Sequence, residues 1–268
     1  MNIVDTYDSV GEFMAQANSA KQRHTSVSTD RPEWFGTASL EQAIGLVQEG
    51  WDTRPDLSKL SSDIESHTSS EVATLNLEHQ VQGAYVDVGA YLEGVPECMV
   101  QFVEQPEPKV VKLAFNISTS GSMSRDAFAN RGAVTLAICN KLQMAGYSVE
   151  IIAYECCQNR VGSKHFVSWV LKSSAQPFDE GSLAFWCCHP SALRRIHFLY
   201  CESMDEKVRR EFDYNGGGYS KPCPLIEHKQ AMEAIKPDVN IDFRKERFED
   251  AVKEYDKLVA KLNEKLAS

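Results

Sequence analysis

The sequence predicts an α/β protein: a doubly wound, mostly parallel sheet in the C-terminal part, preceded by an N-terminal α+β extension. Three observations carry this. After residue 109, strand-like runs alternate with longer helical patterns. Strands joined through helices return in one direction by right-handed crossovers, which builds a parallel-dominated sheet. The leading run, KVVKLAFNI, is too apolar for a strand wet on one face and fits a sheet covered on both. Finally, QPEPK at 105–109 places two prolines in five residues. Each fixes φ and restricts the residue before it, so a module boundary is expected there.

In chain order, residues 1–35 are polar and nearly aperiodic, and read as an arm or loosely ordered lead-in. Residues 36–105 form the small α+β module and 106–268 the α/β domain. In SLEQAIGLVQEG, Ser39 caps a helix, Gln42 completes an S-x-x-Q box, Leu40, Ile44 and Val47 make the stripe, and Gly50 stops it. Residues 52–70 read as loop or weak helix, and 71–103 as short alternating strands with glycine turns. Beyond the break, 126–145 is a helix with Val134, Ala137, Ile138, Leu142 and Ala145 on one stripe and Gly146 as its stop. YSVEIIAY is a second buried strand and HFVSWVLK a third, alternating and edge-like. DEGSLAFWCCH suggests a short helix ending at Pro190, RRIHFLYC a fourth strand, PLIEHKQAMEAI a helix and VNIDF a fifth strand. The closing helix carries Phe248, Val252, Tyr255, Val259 and Leu262 on its apolar face.

Composition narrows the function. Of 268 residues, 43% are hydrophobic and 25% charged, which excludes wholesale disorder. A net charge of -10 argues against a broad nucleic-acid surface, since phosphate affinity comes from Lys and Arg. MNIVDTYDSVGEF lacks the basic start and apolar run of a signal peptide, and no apolar run nears the ~20 residues of a membrane span. A soluble, cytoplasmic protein is expected, with its eight cysteines kept as thiols. No CxxC occurs, and Cys187-Cys188-His189 with Cys201 is a poor zinc set, so core thiols are the simpler reading. His165, His189, His197 and His228 are scattered without HExxH spacing. Tyr214-Asn215-Gly216-Gly217-Gly218-Tyr219 reads as an aromatic-flanked surface linker with a base-stacking alternative.

The chemistry-bearing stretch is NISTSGSM, 116–123, between the first buried strand and the long helix. It has no GxGxxG or GxxxxGK[ST], so nucleotide binding is unsupported. Ser118, Ser120 and Ser122 alternate, so in an extended loop their hydroxyls share one side above the sheet. Ligands of such sheets bind at the carboxyl ends of the strands, where this loop and Cys201–Asp205 are expected.

VVKLAFNISTSGSM with RGAVTLAICNKLQMAGYSVEIIAY resembles the start of a von Willebrand factor A domain, especially those that accompany ring-forming ATPases, including the cobaltochelatase large-subunit type. The resemblance covers about residues 109–266. It implies a doubly wound fold and a metal-ion-dependent adhesion site in which Asp, two Ser, a Thr and a second Asp hold a divalent ion for a partner's carboxylate. Here the leading Asp is Ser118; Ser120 and Ser122 match the metal-binding serines; Ser182 stands for the Thr, and Glu202 takes the acidic position. The loss of Asp implies a degenerate site. Partner contacts would come from Ser118, Ser120, Ser122, Ser182 and Glu202, with no cofactor or a weakly held Mg²⁺ on Ser120, Ser122 and Glu202. SLEQAIGLVQEGW and VQGAYVDVGAYLEGVPECM resemble an uncharacterised tailed-bacteriophage family. Together these imply a non-enzymatic adaptor acting on a ring-forming ATPase or a host protein. A single-strand-binding phage protein and a thiol- or zinc-dependent enzyme are the alternatives.

Overall fold

Strand β1 (Asn2–Tyr7) and helix α1 (Val10–Asn18) open the chain. After α2 (Pro32–Phe35), α3 (Leu40–Glu49) and α4 (Arg54–Ser66) come β2 (Leu77–Gln80), β3 (Tyr85–Val86), α5 (Val88–Leu92) and β4 (Met99–Phe102). The α/β part runs β5 (Val110–Asn116), α6 (Arg125–Met144), β6 (Ser148–Gln158), β7 (Lys164–Lys172) and α7 (Glu180–Cys188). A π-helical stretch, Ala192–His197, continues directly into α8 (Phe198–Ser203). Then follow α9 (Glu206–Glu211), β8 (Lys221–Pro222), α10 (Lys229–Ile235), β9 (Val239–Ile241) and α11 (Phe248–Leu266). This computed structural model describes residues 2–52, 54–68, 77–81, 85–102, 109–119, 123–177, 179–216, 218–225, 228–242 and 247–266.

The main sheet has the order β1-β7-β6-β5-β9, with β8 added to β6. Strand β5 runs parallel to β6 and β9, and β1 parallel to β7. Strand β6 is antiparallel to β7 and β8. The sheet is therefore mixed and mostly parallel, with helices on both faces. Alternate side chains explain the layers. Val111, Leu113 and Phe115 of β5, with Val149, Ile151 and Ala153 of β6, enter the large core beneath α1, α3, α4, α6, α7, α8 and α11. Ala114, Ile152, Tyr154 and Cys156 point the other way, against Ala231 and Ile235 of α10.

Four expectations change. The lead-in is structured: β1 is the edge strand, and α1 buries Phe13, Met14 and Ala17. Ser9 caps α1 by accepting from Glu12 N, and the Glu12 carboxylate returns to Asp8 N. Strand β7 is consequently interior. The α3 and α4 segments are not a separate module, because Leu40, Ala43 and Ile64 share one core with α6 and α11. Among the described residues β2-β4-β3 forms a second sheet, and the expected boundary at 105–109 lies, but for Lys109, outside the described residues. RRIHFLYC is helical rather than a strand, because a run buried on every side looks alike in either state. Helices α3 and α6 follow the pattern read from sequence: Ser39 accepts from Gln42 N, and Gly50 and Gly146 take the left-handed φ of 80° and 88°. Among the described residues, no helix is long and apolar enough to cross a membrane.

Helix α6 crosses α7 at Gly132. A Cβ there would lie 1.7 Å from Cys188 Sγ and 3.0 Å from its Cβ, with both cysteines of α7 buried. Gly132→Ala is therefore expected to destabilise the fold by about 1–3 kcal/mol despite alanine's higher helix propensity. Cys188→Ala removes the obstructing sulfur and should recover most of that loss in the double variant, measured by urea denaturation. A double variant as unstable as Gly132→Ala alone would refute this contact.

Candidate functional site

Of the residues singled out from sequence, the described ones, Ser118, Ser182 and Glu202, each take different hydrogen-bond partners. Ser120 and Ser122 lie outside the described residues. Ser118 follows β5 but points inward, 1% exposed. Its hydroxyl donates to Glu155 Oε1 at 3.1 Å and accepts from Cys156 N at 3.2 Å, while its amide donates to Asn116 Oδ1 at 2.8 Å. Ser182 sits in the first turn of α7, where its amide donates to the Asp179 cap. It lines a shallow depression with Leu171 and Lys172, and Lys172 is the register partner of Ile151, near the start of β6. That is the end of the sheet opposite Ser118, because β7 runs antiparallel to β6. Gly50 closes against this turn: any Cβ on it would lie 3.0 Å from the Gly181 carbonyl carbon.

Glu202 is the third correction. It lies on α8, not at a strand end, and is 2% exposed. One carboxylate oxygen accepts from Ser26 N at 3.0 Å and Tyr219 OH at 2.5 Å, the other from Ser26 Oγ at 2.5 Å. These donors leave Glu202 poorly suited to a cation, and the acid that reaches Ser118 is Glu155. Among the described residues, no three His, Cys, Asp or Glu side chains gather as metal ligands.

A cleft of about 410 Å³ does open at the carboxyl ends of β5 and β6, lined by Thr119, Glu155, Arg194, His197, Tyr219 and Lys221 among others. The fold assembles it from the lead-in (Thr25 and Trp34), the turn after β5, the last part of β6, the π-helical stretch with the start of α8, and the segment leading into β8. Glu155 Oε2 lies 3.6 Å from His197 Nε2. That contact would favour an imidazolium, but it is long for a hydrogen bond, and burial of the ring decides the outcome. Burial, reinforced by His165, pushes His197 down to about 3, so the imidazole is neutral near pH 7.

Two buried guanidiniums bracket the 118–123 loop. Arg131 of α6, packed over the Phe115 and Phe128 rings at 4.9 and 5.3 Å, donates to Ser118 O at 3.4 Å. Arg194 donates to Met123 O at 3.1 Å and Trp34 O at 2.6 Å, with its guanidinium 4.4 Å from the Trp34 ring. Burial lowers Arg194 to about 10, which leaves it a cation at neutral pH.

The other chemistry weighed from sequence is absorbed by the core. Cys187 is pushed up to about 12 by burial, and Cys188 and Cys201 also rise well above the usual thiol range. Tyr214 is fully buried and bonded to His165 Nδ1 at 2.8 Å. Tyr219 stacks on Phe198 with ring centroids 3.9 Å apart, so that ring face is already covered. Sequence reasoning passed over Glu155, Arg131 and Arg194. The signal for the first was an acid inside an otherwise apolar run, IIAYECC.

A family model described as a domain of unknown function matches residues 1–266. No curated protein matches the chain, and no solved structure does.

Proposed function

The chain belongs to the DUF7192 family, and we propose that it is a non-enzymatic interaction protein with a von Willebrand factor A-like domain. In this reading the cleft at the carboxyl end of β5 receives an acidic group of a protein partner, and Arg194 supplies charge that the resembling family takes from a divalent ion. The observation that carries it is Arg194, which lines the cleft and donates to Met123 O at its edge. Lys221 adds a further cation on the cleft wall, where Glu155 is the carboxylate among the described lining residues. Guanidinium suits a carboxylate because its forked N–H groups match two oxygens. The strand order β7-β6-β5-β9 with helices on both faces supports the doubly wound assignment.

Mg²⁺ demands near-octahedral oxygen ligation, usually with a carboxylate. With Ser118 committed to Glu155 and Glu202 to Ser26 and Tyr219, the described residues do not fit such an ion. The partner classes remain those the resemblances imply, a ring-forming ATPase or a host protein. The single-strand-binding and thiol-enzyme alternatives are less well supported, given the covered face of Tyr219 and the buried thiols.

Fluorescence anisotropy with a library of peptides bearing a central Asp or Glu, beside their Asn or Gln counterparts, tests the proposal. Acidic peptides should bind preferentially. Arg194→Met should weaken binding by about tenfold or more, the loss of one charge-assisted contact. EDTA should leave the affinity unchanged. Equal binding of acid and amide forms, no binding at all, or loss on chelation would each overturn it.

A further inference from the structure

Cys156 near the end of β6 and Cys223 just after β8 are chemically placed for more than packing. The register Cys157↔Pro222 and Gln158↔Lys221 makes Cys156 and Cys223 the next facing pair, and Cys223 N donates to Cys156 O at 2.9 Å. Their sulfurs lie 2.9 Å apart, both buried. Facing residues of an antiparallel pair have Cα atoms roughly 4.5–5.5 Å apart, inside the span a disulfide bridges, and an S–S bond is about 2.05 Å long. Closure thus needs a small side-chain adjustment and no backbone rearrangement.

We propose that Cys156 and Cys223 form an oxidation-dependent disulfide that ties the β8 segment to β6 beside the cleft. The oxidant is a low-molecular-weight disulfide such as oxidised glutathione. Deprotonated Cys223 attacks one sulfur of the oxidant, whose S–S bond breaks to release one glutathione thiolate, which takes up a proton. Cys156, losing its proton, attacks the Cys223 sulfur of the mixed disulfide and expels the second glutathione. Two protein thiols are oxidised, one small disulfide is reduced to two thiols, and no other reactant is needed.

Position decides which thiol reacts first. The hydrogen bond with Cys223, together with burial, pushes the Cys156 thiol up, so it is a poor first nucleophile. Strand β8 has only two residues and Cys223 is 4% exposed against 0% for Cys156, so a local opening of β8 would bare Cys223 first. Lys221 and Pro222 line the cleft, so the same bond fixes one wall of it. The six other cysteines provide an internal control: Cys139, Cys157, Cys187, Cys188 and Cys201 are buried on the opposite face or in the helical layer, and Cys98 lies near β4.

The test treats the full chain with oxidised glutathione under native conditions, blocks remaining thiols, and maps peptides without reduction. The expected product has lost two hydrogens and links the peptide of Cys156 to that of Cys223, with fragmentation separating Cys156 from the adjacent Cys157. The bond closes a loop across a sequence separation of 67 residues. It should raise Tm by about 5–10 °C, reversed by dithiothreitol. Cys223→Ser should abolish both effects. If that variant does not fold, the wild-type peptide map alone decides. Glutathione adducts without the crosslink, a crosslink through Cys157, or an unchanged Tm in the crosslinked protein would overturn the proposal.

Discussion

Replacing Arg195 with methionine is expected to lower the unfolding free energy by about 3 kcal/mol, the largest single-site loss foreseen in the helical layer. The side chain is fully buried, and its work is to collect carbonyls and one hydroxyl. Nε donates to Thr37 Oγ1 at 2.8 Å, one terminal nitrogen to Ser26 O and Ser28 O at 2.8 and 3.1 Å, and the other to Thr37 O at 2.9 Å. The guanidinium lies 4.1 Å from the Phe35 ring. Residues 26–37 contain one 3-10 turn and the four-residue α2 but no strand, so these bonds tie down a segment that no sheet ladder holds. Methionine fills much of the volume and offers no donor, leaving three carbonyls to find water at roughly 1–3 kcal/mol each before relaxation. Urea denaturation measures the total, and limited proteolysis should place the first new cleavages between residues 20 and 38. Arg195→Lys restores the charge without the fork and should recover less than half of the loss. A loss below about 1 kcal/mol for Arg195→Met would mean that Glu202 and the Phe35 contacts hold this segment unaided.

That segment also shows where sequence reading succeeds and where it stops. The Ser39–Gln42 box, the Gly50 stop and the α6 stripe are local: each lies within a few residues and reflects hydrogen bonds or packing formed inside one helix. The alternating core faces of β5 and β6 are nearly as local. The lead-in was also legible in principle, since Ser9-x-x-Glu12 is a capping box followed by Phe13, Met14 and Ala17, although the polar surroundings masked it. RRIHFLYC was ambiguous for a physical reason. Buried helices and buried strands both present continuous apolar runs, and the two adjacent arginines find their acceptors in Trp34, Met123 and the 26–37 segment, far away in sequence. The site belongs to that non-local class. Ser118 and Glu155 are 37 residues apart, and Glu202 meets Ser26 across 176, so no motif spacing could have announced either pair.

Acidification should expose the second large effect. His197 is neutral in the folded state because burial lowers it to about 3, whereas an unfolded histidine titrates near 6.5. As pH falls below 6.5, the unfolded chain takes up a proton that the folded protein refuses. Its contribution to stability is therefore complete above about pH 6.5 and is lost progressively down to about 3. The slope is about 1.4 kcal/mol per pH unit for one such proton. His197→Gln keeps the volume and a polar tip but cannot titrate, so its stability should fall less steeply between pH 6.5 and 4.5 while its stability at pH 7.5 drops only modestly. Asp5 adds to the acid loss at lower pH. Burial alone would raise it, but bonds from His165 and Tyr200 outweigh that and hold it below the ordinary carboxylate range. Its contribution disappears only as pH passes below that range, which separates the two groups on one titration curve. Parallel slopes for wild type and His197→Gln between pH 6.5 and 4.5 would show that His197 accepts its proton beside Glu155 after all, as an imidazolium–carboxylate pair inside the cleft.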